Sequence, residues 1–258
     1  MKSLPLVIFI YCFLAAGCTE KKGTDTIVQD VKKPVLKNKS NGEGEITLVK
    51  NNPESKSKLE LQLIAAGLIN VHDLDSTIKI DLRYSTSKNF IGIDVYGNFD
   101  QCYLQPDVAK KLADAQKYLR KKFPYYSLIV FDAVRPLHIQ QKMWDTLVLP
   151  PGEKTKYLSN PQNGSLHNYG AAVDLSIIDE NGILLDMGTD FDFFGDKAHP
   201  EKEKELLASG ELSEGEILNR ELLREVMRHA GFWGIQTEWW HFNSCRREVA
   251  AQIYKIVE

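Results

Sequence analysis

Two short stretches of the sequence hold side chains whose company suggests chemistry. SLHNYGAAVDLSI, residues 165–177, sets His167 and Gly170 ahead of an apolar run that contains Asp174. A core strand has no use for a carboxylate unless something pairs with it. Glu238-Trp239-Trp240-His241 ends a second stretch on an imidazole. Imidazole and carboxylate are natural zinc ligands, and a catalytic zinc keeps three protein ligands and a fourth position for water. His167, Asp174 and His241 would supply three, and the metal would be the charge partner that Asp174 otherwise lacks. Such an ion lowers the pKa of its water to about 7 and so yields a nucleophile at neutral pH. Gly170 allows a sharp turn between the first two ligands. Glu238 is then the natural general base. It stands three residues before His241, and on a regular strand the two would face opposite sides, so one centre can use both only where the strand bends or bulges.

Taken singly, each residue has an ordinary reading. A histidine near a strand end is more often a hydrogen-bonded core or surface residue. Asp174 alone fits a cap or an arginine pair, Arg135 fits a simple pair with Asp132, and Trp239 and Trp240 fit a core.

The elements that must position these groups follow from periodicity. Residues 59–71, LELQLIAAGLINV, read as a short helix running into a turn, and residues 76–86 alternate like a half-buried strand. Residues 106–123 give the clearest helix, with Pro106 in the first turn and Val108, Leu112, Ala115 and Leu119 on one stripe. SLIVFDAV, 127–134, is a buried strand, with Arg135 extended at its tip before Pro136. Residues 150–164 are a long polar loop, and 171–178 a strand that turns at Glu180-Asn181-Gly182 into 183–188 as a hairpin. Residues 213–231 carry a capping box, Ser213 to Glu216, and close on Gly231. A strand at 234–243 and a helix at 245–257 follow. Strands and helices mix without strict alternation. The expectation is an α+β single domain, 59–258, with a central, largely antiparallel sheet flanked by helices.

Composition is that of an ordinary globular chain, 43% hydrophobic and 26% charged over 258 residues. The formal net charge of −3 shows no basic footprint for nucleic acid. Residues 1–17 hold one lysine, an apolar run and small residues before Cys18, which reads as an export signal. Leu14-Ala15-Ala16-Gly17-Cys18 resembles a lipoprotein cleavage box that would leave Cys18 lipidated, the alternative being a plain secretory signal. Residues 18–58 are polar and without period, a disordered tether. Both features place the domain outside the cytoplasm, with membrane contact through the N-terminal lipid only. Cys102 and Cys245 remain, as a disulfide or as two buried thiols.

Ser165-Leu166-His167-Asn168-Tyr169-Gly170-Ala171-Ala172-Val173-Asp174 is similar to the S-x-H-x-x-G-x-A-x-D pattern of zinc D,D-peptidases, and Glu238-Trp239-Trp240-His241 to their E-x-W-H. Leu185-Asp186-Met187-Gly188-Thr189 with Phe191-Asp192, Asp81-Leu82-Arg83-Tyr84 with Asn89-Phe90, and Asp132-Ala133-Val134-Arg135-Pro136 resemble the D-alanyl-D-alanine dipeptidase (VanX-type) branch. The resemblance implies one Zn2+ per chain on His167, Asp174 and His241. It implies Glu238 as the base and Arg135 as the arginine that stabilises the developing oxyanion. Asp192 resembles the carboxylate that holds a substrate ammonium, and Ser165 and Tyr84 resemble substrate-pocket residues. The implied activity is hydrolysis of D-Ala-D-Ala to D-alanine in cell-wall peptide turnover. The alternatives are a D,D- or L,D-carboxypeptidase on peptidoglycan stems and a non-catalytic peptidoglycan-binding lipoprotein.

Overall fold

A computed structural model describes residues 56–258, which belong to a unit spanning Asn52–Glu258. The signal, Cys18 and nearly all of the tether lie outside the described residues. The fold starts at a reciprocal cap. Ser57 Oγ accepts from Glu60 N at 3.1 Å and Glu60 accepts from Ser57 N at 2.8 Å, opening α1 (Lys58–Ala65). Ser57 and Lys58, expected in the tether, are thus part of the domain. There follow β1 (Ile69–Asn70), β2 (Lys79–Ile80), β3 (Tyr103–Leu104), α2 (Pro106–Lys122), β4 (Ser127–Asp132), α3 (Leu137–Thr146) and α4 (Pro151–Lys154). The chain closes with β5 (Ala172–Ile178), α5 (Glu203–Ser209), α6 (Glu214–His229), β6 (Trp233–Gly234), β7 (His241–Asn243) and α7 (Arg247–Ile253).

The main sheet has the order β2-β4-β5-β7-β6; β2 runs parallel to β4 and the other three pairings are antiparallel. β1 and β3 form a separate antiparallel pair. All seven residues of β5 are buried, so its near-continuous apolar run is that of a central strand covered on both faces. The stripe expected on α2 is buried through Val108, Leu112, Ala115 and Leu119, and Leu223, Val226 and Met227 of α6 join the same core. Trp239 and Trp240 are core residues as well.

Register places the polar groups. Asp132 of β4 lies opposite Asp174 of β5, and Asp174 lies opposite His241 of β7. Directly opposed residues on one face stand about 4.5–5.5 Å apart at Cβ, so three adjacent strands present these side chains in one row. An irregularity in β4 between Val130 and Asp132 sets that register. A 3-10 turn, Leu166–Tyr169, delivers His167 to the same end of the sheet, and Gly170 at φ 65° turns the chain into β5.

Several elements differ from expectation. The strand at 76–86 shrinks to β2, because a 3-10 turn at Arg83–Ser85 takes over. The polar loop at 150–164 contains α4. The hairpin after β5 reduces to one bridge, Ile178 to Leu184. Ala230 is the cap of α6, and Gly231, at φ 82°, is the left-handed residue beyond it. Cys102 and Cys245 are both free: Cys102 is fully buried in the core, where burial pushes its thiol up, and Cys245 is only partly buried between β7 and α7.

A Cβ at position 170 would stand 2.9 Å from Leu68 Cδ2 and 3.4 Å from Gln105 N, on backbone that L-residues avoid. Gly170→Ala is expected to lower stability by about 1–3 kcal/mol. Urea unfolding of the metal-free protein measures this, and an unchanged midpoint would contradict it.

Candidate metal centre

Three donor atoms converge at the row's end. His241 Nδ1 lies 2.9 Å from Asp174 Oδ1 and 3.2 Å from His167 Nε2, and His167 Nε2 lies 3.4 Å from Asp174 Oδ1. The outward nitrogen of each imidazole is already engaged. His167 Nδ1 sits 2.7 Å from the Ala133 carbonyl, and His241 Nε2 sits 2.8 Å from Asn243 Oδ1. Carbonyl oxygens only accept, so these partners assign the N–H to the outward nitrogens and turn both lone pairs inward. Fixing a ring through its far nitrogen is how metal-ligating histidines are oriented. Two lone pairs and a carboxylate at such separations repel unless a cation lies among them. The residues therefore fit a divalent ion, and two imidazoles with one carboxylate suit zinc.

The electrostatics of the cluster agree. Burial works against the ionised form of Asp174, but His167 and then His241 outweigh it and hold the carboxyl below its usual range. Burial also opposes a charged His241, yet its hydrogen bond to Asp174 raises it from 6.5 to about 9. In the absence of a metal, a proton does part of the metal's work.

Around the cluster opens a cavity of about 680 Å³ that also admits Glu238, Arg135, Asp192, Tyr84 and Ser165. Glu238 lies outside β7, where the chain bends at residues 239 and 240, and this bend brings Glu238 Oε2 to 4.0 Å from His241 Nδ1. The required departure from a regular strand is thus a bend ahead of β7. Removal from bulk water raises the Glu238 carboxyl, His241 pulls it down and Asp174 pushes it up, with a net rise.

Arg135 and Asp132 form a buried pair. Arg135 Nε donates to Asp132 Oδ2 at 2.8 Å and Nη2 contacts the same oxygen. Tyr96 donates to the other oxygen, Oδ1, at 2.7 Å. The guanidinium also lies 3.8 Å from Asp174 Oδ2 and 5.2 Å over the Tyr84 ring. Its backbone N–H donates to the His167 carbonyl at 3.0 Å, tying strand tip to ligand turn. Asp192, at φ 61°, is the one non-glycine residue in the left-handed region among the described residues. Tyr84 Oη lies 3.0 Å from both of its oxygens. Burial, and then Asp174, raise the Asp192 carboxyl well above the usual range. Ser165 Oγ donates to Gln140 Oε1 at 3.0 Å.

Asn243, Gln140 and Asn168 escaped the sequence reading. Asn243 was within reach, since it follows His241 by two on a strand and shares its face. Asn168 bridges the Arg135 carbonyl and Gln140 at 2.7 and 2.8 Å, links that only the tertiary fold creates.

A family model described as D-Ala-D-Ala dipeptidase (Peptidase M15) matches residues 64–258. The chain is 30% identical over 175 residues to a D-alanyl-D-alanine dipeptidase of Escherichia coli (strain K12), covering 68% of this chain and 83% of that protein. It is 27% identical to a D-alanyl-D-alanine dipeptidase of Enterococcus faecium, covering 68% of this chain and 90% of the relative. Among solved structures, a mutant of the vancomycin-resistance D,D-pentapeptidase VanY in complex with Zn(II) aligns with 68% of this chain and 83% of its own, at 15% identity and a TM-score of 0.36.

A metal must displace the His241 proton. Because the folded pKa of His241 rises from 6.5 to about 9, affinity for a divalent cation should climb with pH up to about 9, by as much as tenfold per unit. The same raised pKa stabilises the metal-free protein fully below 6.5, and that contribution is lost as pH rises through about 9. Calorimetric titration with Zn2+ in buffers of different ionisation heat should show proton release near neutral pH; no release would contradict the assignment.

Proposed function

This chain belongs to the Peptidase M15 family, whose members are metallopeptidases, and from that premise we propose that it is a zinc dipeptidase that hydrolyses D-Ala-D-Ala to D-alanine. The observation that carries the reading is the inward convergence of His167 Nε2, His241 Nδ1 and an Asp174 oxygen beside Glu238. Zinc held there would supply Lewis acidity at the scissile carbonyl and to the attacking water. Glu238 takes the proton of that water and returns it to the departing amine. Its raised carboxyl is closer to the working pH than an ordinary glutamate, as an efficient acid–base catalyst requires. Arg135 meets the oxyanion. Asp132 holds its guanidinium in place beforehand, so no reorganisation accompanies the charge as it forms.

Substrate selection rests on Asp192. A half-buried carboxyl without a direct cationic contact is disfavoured in its charged form. A substrate ammonium is the group that would relieve it, and Tyr84 fixes the acceptor oxygens to receive one. Ser165 lines the same cavity beside the ligand turn. The cavity volume favours a second reading, cleavage of longer peptidoglycan stems by a D,D- or L,D-carboxypeptidase, which has no need of an anion for a free amine. The N-terminal signal and Cys18 complete the proposal with an exported, lipid-anchored enzyme that recovers D-alanine from wall turnover. The complete donor set and Glu238 argue against a non-catalytic binding protein.

Glu238→Gln is expected to keep one zinc per chain and lose turnover by about a hundredfold or more. N-acetylation of D-Ala-D-Ala should abolish cleavage by the unmodified protein. Metal analysis and a D-alanine release assay check both. Retained activity in the variant would remove Glu238 from its role, and efficient cleavage of the acetylated peptide would favour the carboxypeptidase reading.

A further inference from the structure

We propose that Arg220, a residue that does not line the cavity, positions Asp192 by holding both ends of the segment that carries it. This role rests on the dipeptidase reading, in which Asp192 receives the substrate ammonium. The segment has little structure of its own. Residues 188–195 lie in no helix or strand, and residues 189–194 make no backbone–backbone hydrogen bond among the described residues. Within it Asp192 sits at φ 61°, a conformation that a side chain keeps only where its surroundings enforce it. Something outside the segment must therefore fix its course.

Arg220 of α6 does this from within the core. It is 1% exposed, and a guanidinium so deep needs partners for its N–H groups. Its Nε donates to the Met187 carbonyl at 2.7 Å, and its Nη2 donates to the Lys197 carbonyl at 2.7 Å. These two carbonyls bracket Asp192 in the chain, five residues away on either side. Glu203 supplies the counter-charge: it accepts from Arg220 Nη1 at 3.3 Å and is itself gripped by both terminal nitrogens of Arg224 at 2.8 Å. A planar fork held this way presents donors in fixed directions, which a lysine ammonium cannot reproduce. Two further bonds follow the same path. Asn219 Nδ2 donates to the Asp186 carbonyl at 2.8 Å, and Trp239 Nε1 donates to Thr189 Oγ1 at 2.8 Å. The Trp239 ring also lies 6.0 Å from the Arg220 guanidinium. Since Trp239 adjoins Glu238, the supports of the base and of the ammonium site meet at one place behind the cavity wall.

The test is a double-mutant cycle on zinc-loaded, full-length protein, with kcat, KM and zinc content measured for D-Ala-D-Ala. An ammonium contact made alike in bound substrate and transition state acts on KM. Arg220→Met should therefore raise KM by about ten- to a hundredfold, the range of a charge-assisted hydrogen bond, with kcat and one zinc per chain retained. Arg220→Lys should raise it less. In an Asp192→Asn background, Arg220→Met should cost less than about twofold further, because the group it acts through is already gone. The same factor lost in both backgrounds, or a loss confined to kcat or zinc, makes Arg220 a general structural residue and overturns this inference alone. If Arg220→Met does not fold, Arg220→Lys carries the same cycle. Full activity in Asp192→Asn removes the role of Asp192, and an unmodified, zinc-loaded enzyme that leaves D-Ala-D-Ala uncleaved overturns the dipeptidase reading; the inference falls with either.

Discussion

Asp174 is a carboxylate in the middle of a strand whose every residue is buried, and that placement is the constraint from which the rest follows. An ionised acid there is tolerable only with compensating positive charge and hydrogen bonds. The chain meets the demand from three directions: His241 across one strand pairing, Arg135 from beyond the tip of the other neighbouring strand, and His167 from the turn that leads into β5. A proton on His241 satisfies the cluster in part, and a divalent cation in its place satisfies it better because one nitrogen of each imidazole is already aimed inward.

The cost of assembling such a site is spread over the surrounding backbone. Asp132 and Arg135 form a buried pair, an arrangement that adds little net stability but fixes a guanidinium against a single geometry. Asp192 holds a left-handed conformation, and Gly170 a left-handed turn that a side chain would obstruct. Strain of this kind persists where neighbouring structure over-determines it. The hydrogen bond from Arg135 N to the His167 carbonyl joins the two segments, so Arg135 and His167 cannot drift independently.

What the sequence made legible was whatever violated its own local pattern. Asp174 stood out because an apolar run has no place for a lone acid, and Arg135 because a proline fixes the chain just past a strand. The helices at 106–122 and 214–229 were legible from spacing and caps. Strand ends were not, because Leu82 and Gly182 hand over to turns whose competition with pairing is decided by tertiary contacts. Asp192 had no physical signal in DFDFF; only family resemblance pointed to it, and its backbone conformation becomes visible only in the fold. In sequence Asp132 offers no more than a pairing with Arg135, whereas its strand position opposite Asp174 makes it the support on which Arg135 rests. Glu238 raised the right geometric question, and its answer, a bend before β7, depended on packing of Trp239 and Trp240 in the core.

The claim that all of this depends on is that two imidazoles and one carboxylate share a single cation. Crystals of the protein grown with zinc, measured at the zinc absorption edge, address it directly. The account predicts one anomalous peak within about 2.0–2.2 Å of His167 Nε2, His241 Nδ1 and an oxygen of Asp174. A catalytically active crystal whose zinc lies elsewhere, with those three donors bare, would contradict it.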